Sequence, residues 1–355
     1  MSGQAFDASY SSMFASGRVT QQDIARRAKV HITTVSLALR DSPRLPAATR
    51  KRIQDLAVEM DYSPDPMLSA LTVYRERLKR KRHQGVLAWM CPAVRRGRAR
   101  PNNSEYRRGA EMRCAELGYL LEDFHLSELG RTRLASVLQA RNIQGLLIPP
   151  QSYNRSHISF DWNPFSAVCF GFSLARPRLH LVTNAQHQST RIAVRALRTH
   201  GYRRIGFVTT HVADERTDYN FSSGFWSEHR RLKGSEQIPA LTIAGESRLE
   251  ELAEFESWYL KYRPEVILAH HPPVFEYMRM MGIDRDECGY ASLDLTAPDG
   301  SIAGIYQNYP LMGQAAVTFL IDMIHANERG IPKERFQLLI EGSWIEGKTI
   351  RGKNT

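Results

Sequence analysis

The chain predicts a two-part architecture: an N-terminal all-α head of the helix-turn-helix type, followed by an α/β core of two parallel-sheet lobes. Three observations carry this. Two short apolar-periodic segments stand back to back in "VTQQDIARRAKVHITTVSLALRDSP", residues 19–43. From Gly85 onward the pattern turns to apolar runs alternating with helical segments, in two successive groups. The charge is uneven: residues 1–83 hold fifteen Lys and Arg against eight Asp and Glu, an excess of seven, while the whole chain of 355 residues carries +11. A basic head thus precedes a nearly balanced body, and a polyanionic partner fits that asymmetry.

Residues 1–17 are rich in Ser, Ala and Gly and read as a flexible tail. Thr20 and Asp23 have the spacing of a capping box, with Asp where Glu is usual. They open a first helix whose apolar stripe is Ile24, Ala25 and Ala28. A second helix from about Ile32 to Leu39 would bury Val35 and Leu39 and turn Thr33, Thr34 and Ser36 outward. A third runs from about Pro46 to Met60 with Ile53, Leu56, Ala57 and Met60 on one stripe. Two short helices and a supporting third make a helix-turn-helix unit over residues 18–63, its second helix suited to a DNA major groove, although a small bundle that binds nothing has the same pattern. Residues 64–83 pass from a Pro-broken turn through "MLSALT" to the basic run Arg75, Arg77, Lys79, Arg80, Lys81 and Arg82, a linker able to neutralise phosphates.

In the core, residues 84–355, "GVLAWM", "YLLEDF", "GLLIPP" and "AVCFGF" read as strands, and "YRRGAEMRCAELG" and "RLASVLQARN" as helices. The alternation recurs with "TRIAVRALRTHG", "RIGFVTT", "LEELAEFESWYLKY", "EVILAHH", "GYASLDL" and "IAGIYQN". Repeated βα units imply parallel sheets covered on both faces, with ligands expected at the carboxyl ends of the strands. The four cysteines are widely spaced with no CxxC pair, so they read as reduced core thiols, and no metal or other cofactor is expected. Neither a secretory leader nor about 18 consecutive apolar residues is present, which predicts a cytoplasmic protein without a membrane partner.

Catalytic signals are weak, and no catalytic residue is assigned. "GFSLA" at Gly171–Ala175 lacks the second glycine of a nucleophile elbow, and Arg176-Pro177 follows where a helix should begin. No GxxxxGKS or HExxH occurs, and His270-His271 has no further ligands at metal-binding spacing.

"VTQQDIARRAKVHITTVSLALRD", "ATRKRIQDLAVEMDYSPD" and "MLSALT", followed by "LQARNIQGLLIPP", "LRTHGYRRIGFVT", "RPEVILAHH", "YASLDL" and "IYQNYPLMGQAAVTFLIDMI", resemble in order and spacing the lactose-repressor/galactose-repressor (LacI/GalR) family of bacterial transcription regulators, from about Val19 to about Ile345. The resemblance implies a core like that of periplasmic sugar-binding proteins. It also implies a homodimeric repressor on a pseudo-palindromic double-stranded operator, associated with the nucleoid when bound, and a small-molecule effector, a sugar or an acidic sugar, in the core cleft. A sugar-binding protein of a transport system is the alternative that the core alone would permit.

The same resemblance places Ile32, Thr33 and Leu37 against base edges and Leu71 in the minor groove as a wedge, with Met67, Leu68 and Ala70 on the same hinge helix. Thr20, Gln21, His31, Thr34, Ser36, Arg40 and Arg50 complete the expected DNA-facing set, and Arg26, Lys51 and Arg52 are further phosphate candidates. Leu37 stands where arginine is frequent, His31 where Ser or Thr caps, and Lys29 where a turn glycine is usual; Leu37 alternatively joins the head's own core. In the cleft, Asp294 matches a position that bonds sugar hydroxyls and Tyr309 an aromatic that packs on the ligand. Phe221, Gly171 and the pair His271-Pro272 replace polar anchors of relatives. Phe221, Trp226 and His271 therefore join the expected effector site, and Arg95, with Arg96, Arg98 and Arg100 on the loop after the first core strand, would favour an anionic effector. No heptad follows Gly342, so nothing in the sequence supports a coiled-coil tetramer.

Overall fold

The computed structural model describes residues 19–39, 41–42, 45–62, 84–91, 101–125 and 131–351. Arg40, Arg95 and the hinge residues Met67, Leu68, Ala70 and Leu71 lie outside the described residues. The chain divides between residues 82 and 83 into two compact units.

In the first unit, α1 (Gln21–Ala28) opens on the capping box its sequence spells: Thr20 Oγ1 accepts from the Asp23 amide at 3.3 Å, and the Asp23 carboxylate accepts from the Thr20 amide at 3.0 Å. Lys29 ends it in the left-handed region, φ 53°, where glycine would be unstrained. α2 (Ile32–Leu39) and α3 (Ala47–Glu59) pack on α1 around Ile24, Val35 and Ile53, with Ala25, Ala28, Ala38 and Ala57 filling the narrow crossings. The buried pair on α2 is Val35 and Ala38, not Val35 and Leu39. Both spacings share one face of a helix, but the close approach of α1 and α3 admits only the methyl of alanine at the centre and leaves Leu39 at the margin.

The second unit begins with β1 (Gly85–Cys91), α4 (Pro101–Leu117), β2 (Tyr119–His125), α5 (Arg131–Ala140), β3 (Gly145–Ile148), β4 (Ser156–His157), β5 (Ser166–Phe170), β6 (Leu174–Arg176) and β7 (His180–Asn184). It continues with α6 (Gln186–Thr199), β8 (Ile205–Thr210), α7 (His211–Arg216), α8 (Asn220–His229), β9 (Leu241–Ile243), α9 (Arg248–Tyr262), β10 (Val266–Ala269), α10 (Pro273–Met280), β11 (Gly289–Leu295) and β12 (Ala303–Tyr306). α11 (Tyr309–Ala326), β13 (Gln337–Ile340) and β14 (Ser343–Ile345) complete the order.

One lobe holds a wholly parallel sheet in the order β13-β7-β5-β3-β1-β2; the other holds β14-β12-β11-β10-β8-β9, parallel except for β14. The chain passes between lobes near Ala185, near Asn308 and near Gly342. At the first two crossings the buried Asn184 amide donates to Gln307 Oε1 at 2.7 Å, tying the strands that end there.

α11 follows the second lobe in sequence yet packs in the first. Met312, Ala316, Val317 and Leu320 share a cluster with Leu87, Trp89, Tyr106 and Ala110. The α4–α11 crossing is backbone to backbone: a Cβ on Gly109 would stand 1.9 Å from the Pro310 carbonyl oxygen, and one on Gly313 2.1 Å from that of Tyr106. This close approach sets Tyr106 and Tyr309 edge to face, 4.8 Å apart, at the base of the cleft between the lobes.

Candidate functional site

Two regions present chemistry: the outer edge of α2 in the head and the cleft in the core. On α2, His31, Ile32 and Thr33 are exposed, while Thr34, Ser36 and Leu37 are half-buried. Leu37 lies outside the buried head cluster and its packed neighbours. Ile32, 41% exposed, is an apolar group held in water at the helix start, which its burial elsewhere would avoid. His31 caps the helix: its Nδ1 accepts the Thr33 amide at 3.3 Å and also pairs with the Thr33 hydroxyl.

Other expected contacts have work inside the head. The Gln21 side-chain amide donates to the Tyr62 hydroxyl at 3.2 Å, joining the start of α1 to the segment after α3. Arg50 bonds the Asp41 carboxylate at 2.9 Å and donates to the carbonyls of Leu45 (2.9 Å) and Ser42 (3.2 Å), so its guanidinium staples the α2–α3 connection. Thr20 is the cap of α1. Arg26, Lys51 and Arg52 remain as exposed cations, Arg26 with Asp23 at 3.6 Å.

The cleft encloses about 290 Å³ between the lobes, and Asp294, Tyr309, Phe221 and His271 all line it. Asp294, near the end of β11, accepts from the Tyr309 hydroxyl. Burial and the neighbouring Asp294 charge both push the Tyr309 phenol far above its usual range, so it stays a donor. Phe221 lies against His270, ring centroids 4.1 Å apart. Burial, with a smaller contribution from His271, depresses His270 to about 3 and keeps it neutral. His271 Nε2 meets the Glu251 carboxylate at 3.0 Å, and Tyr277 donates to the same oxygen. Burial alone would raise Glu251, but the bonds from Tyr277 and His271 outweigh it and hold the carboxyl below its usual value.

Trp226 does not line the cleft. On α8 the inward positions are Phe221 and Phe225, four residues apart; Trp226, about 100° further round, is 44% exposed and packs against His229 and Phe225. Gly171 does line it, with φ +63°, and the following Ser173 hydroxyl accepts the Gln151 amide at 2.8 Å before β6 begins.

Several lining residues escaped sequence reasoning: Asn103, Asn184, Gln186, Thr210 and Arg216. Arg216 reaches from α7 across to the first lobe, donating to the Gln151 carbonyl and to Asn154 Oδ1 at 3.3 Å, while the Asn154 amide returns to the Val212 carbonyl at 2.9 Å. Nothing in the local pattern of "HVADERTDY" marks these contacts, because their partners lie some sixty residues away. Among the described residues no group of three His, Cys, Asp or Glu is placed to hold a metal ion, and no helix is long and apolar enough to cross a membrane.

Residues 20–65 match the family model described as "Bacterial regulatory proteins, lacI family". Over that stretch the head is similar to the lacI-family regulatory proteins. The chain is 30% identical over 132 residues to the HTH-type transcriptional repressor CytR of Escherichia coli (strain K12), an alignment covering 36% of this chain and 35% of CytR. It is 27% identical over 132 residues to the HTH-type transcriptional regulator DegA of Bacillus subtilis (strain 168), covering 37% of this chain and 36% of DegA. The matched stretch thus spans about a third of these curated relatives' length. Among solved structures, the lac repressor dimer bound to operator and the anti-inducer ONPF superposes with a TM-score of 0.53 at 16% identity, covering 93% of this chain and 98% of that one. The transcriptional regulator CelR in its cellobiose complex gives 0.53 at 16%, covering 94% and 100%. A periplasmic binding protein/LacI transcriptional regulator from Alkaliphilus metalliredigens QYMF, complexed with D-xylulofuranose, gives 0.53 at 17%, covering 76% and 100%. At such identities the likeness establishes the fold: a helix-turn-helix head with a two-lobed core of the periplasmic-binding-protein type.

Proposed function

We propose that this chain is a LacI-family, sequence-specific, DNA-binding transcriptional repressor whose core senses a small molecule. The observation that carries the reading is the outer edge of α2. A family-matched head, closed around Ile24, Val35 and Ile53, holds His31, Ile32 and Thr33 out in solvent at the start of its second helix. Ile32 suits a thymine methyl, Thr33 a base edge, and the exposed Arg26, Lys51 and Arg52 the phosphates that position without reading sequence. Leu37 extends the reading edge, Thr34 and Ser36 flank it, and Arg40 and the basic linker add charge.

The reading assigns residues 18–63 to the head, 64–83 to hinge and linker and 84–355 to a sensing and dimerisation core, after a tail of residues 1–17. Leu71, with Met67, Leu68 and Ala70, forms the hinge wedge, and two copies address a pseudo-palindromic operator in the cytoplasm. The effector lies in the cleft against Asp294, Tyr309, Phe221 and His271, and shifts DNA affinity by its differential affinity for two core geometries. A carbohydrate-related effector accords with the sugars in the CelR and Alkaliphilus complexes and with the carboxylate and aromatic faces of this cleft.

The test is selection by the purified chain from a random duplex library at two salt concentrations, repeated with Leu71→Ala. A palindromic site whose binding weakens with salt and with the substitution is expected. A chain that binds sugars but retains no duplex at either salt would refute the reading in favour of a binding-protein role.

A further inference from the structure

The cap on α2 constrains how its edge can bond, and this inference rests on the DNA-reading role proposed above. A backbone N–H can only donate, so the 3.3 Å contact from the Thr33 amide makes His31 Nδ1 an acceptor. An imidazole whose Nδ1 lone pair is an acceptor carries its proton on Nε2. The Thr33 hydroxyl pairs with that same Nδ1. With the nitrogen bare, the hydroxyl proton must point to it, which leaves only lone pairs on Thr33 Oγ1 for a partner. Both side chains are exposed, next to the exposed apolar Ile32.

The geometry points to His31 as a specificity-determining residue that sets the hydrogen-bond polarity of the reading edge: Thr33 an acceptor only, His31 Nε2 a donor only. In the major groove, adenine N6 and cytosine N4 are donors, whereas guanine O6 and thymine O4 are acceptors. An acceptor-only Thr33 therefore favours adenine or cytosine opposite it and leaves the oxygen of guanine or thymine facing another oxygen. His31 Nε2–H seeks an acceptor, either a phosphate oxygen or a purine N7 or O6. A serine cap would behave differently: its hydroxyl can satisfy the helix amide while donating to Thr33, freeing the Thr33 proton to turn outward. Histidine as the cap removes that freedom.

Two measurements on the full chain test this. In long-range ¹H–¹⁵N spectra of histidine-labelled protein, with His31→Asn identifying the resonance, His31 is expected as the Nε2–H tautomer; the Nδ1–H tautomer would overturn the proposal. In duplex selection, the half-site position that responds to Thr33→Val marks the base opposite Thr33. There the wild type is expected to prefer adenine or cytosine over guanine or thymine by roughly fivefold, the worth of one hydrogen bond. Thr33→Val should flatten this to within about twofold. His31→Asn, whose carbonyl caps and whose amide donates, should retain the preference, whereas His31→Ser, an equally good cap, should relax it. Because both substitutions preserve capping, a purely structural role for His31 would leave the profile unmoved in both, and that result would overturn the proposal. So would a wild-type preference for guanine or thymine at that position. Uniform weakening of binding across sequences in His31→Ser but not in His31→Asn assigns Nε2–H to a phosphate, while altered preference at a second base assigns it to a purine; either supports the donor polarity. Failure of the wild type to bind any duplex would refute the DNA-reading role itself and the reading-edge polarity with it, a result distinct from altered preference in a chain that binds.

Discussion

Replacing Ile53 with alanine should unfold the head while sparing the core. Among the described residues of the head, only three large side chains, Ile24, Val35 and Ile53, are fully buried, each 0% exposed; the other buried positions are alanines. Ile53→Ala removes three carbons, about 2.4 kcal/mol of transfer free energy at roughly 0.8 kcal/mol each. The cavity left between α1, α2 and α3 adds to this, and such substitutions cost about 2–5 kcal/mol in all. A head of about 45 residues has a total stability of only about 2–7 kcal/mol at roughly 0.05–0.15 kcal/mol per residue. The loss is comparable with the whole. Since the head is a compact unit separate from the core, thermal denaturation of the variant followed by circular dichroism should show helix missing from the low-temperature baseline and an unchanged core transition. On the proposed DNA-reading role, affinity for the selected duplex should fall at least about a hundredfold at 25 °C. A variant with wild-type helicity and an affinity within fivefold of wild type would refute the argument, because it would mean that the alanine-lined crossings hold the head without its isoleucines.

Three further outcomes follow from particular contacts. Gly109→Ala places a Cβ against the Pro310 carbonyl, a backbone atom that no rotamer change can move aside. It should lower stability by about 1–3 kcal/mol in urea denaturation, and wild-type stability would contradict the close crossing of α4 and α11. Arg50→Met removes the staple to Asp41, Ser42 and Leu45 and should destabilise the head by about 1–2 kcal/mol without changing the salt slope of DNA binding; a slope smaller by about one would show instead that Arg50 neutralises a phosphate. His270, held near 3 by burial and then by His271, stays neutral in the folded chain while the unfolded chain takes up its proton near 6.5. The unfolded state then binds more protons, so stability should decline as pH falls from about 6.5 toward 3. His270→Gln should flatten that decline in urea midpoints measured from pH 4 to 8, and an identical slope would refute the assignment.

Much of the fold was legible because burial is periodic. Ile24, Ala25 and Ala28 mark a helical stripe, and "GYASLDL" coincides with β11 to the residue. A capping box is equally local: Thr20 and Asp23 sit three residues apart and close on each other as expected. Phe221, His271, Asp294 and Tyr309 were assigned to a cleft through family resemblance, and the structure brings all four to one cavity. Trp226 was misplaced because hydrophobicity at a single position does not say which way it faces when its neighbours at one-turn spacing, Phe221 and Phe225, have already taken the inner face.

Sequence by itself determined which segments are helices or strands, where the positive charge gathers, and which family the head resembles, since these depend on residues within a turn or two of one another. Tertiary structure decided which distant atoms meet. Only the return of α11 to the first lobe sets Tyr309 on Tyr106, only the first two crossings bring Asn184 to Gln307, and only the α2–α3 connection turns Arg50 inward. Side-chain periodicity specifies that a face is buried. Which surface covers it, and therefore which donor finds which acceptor, depends on how elements far apart in the chain pack.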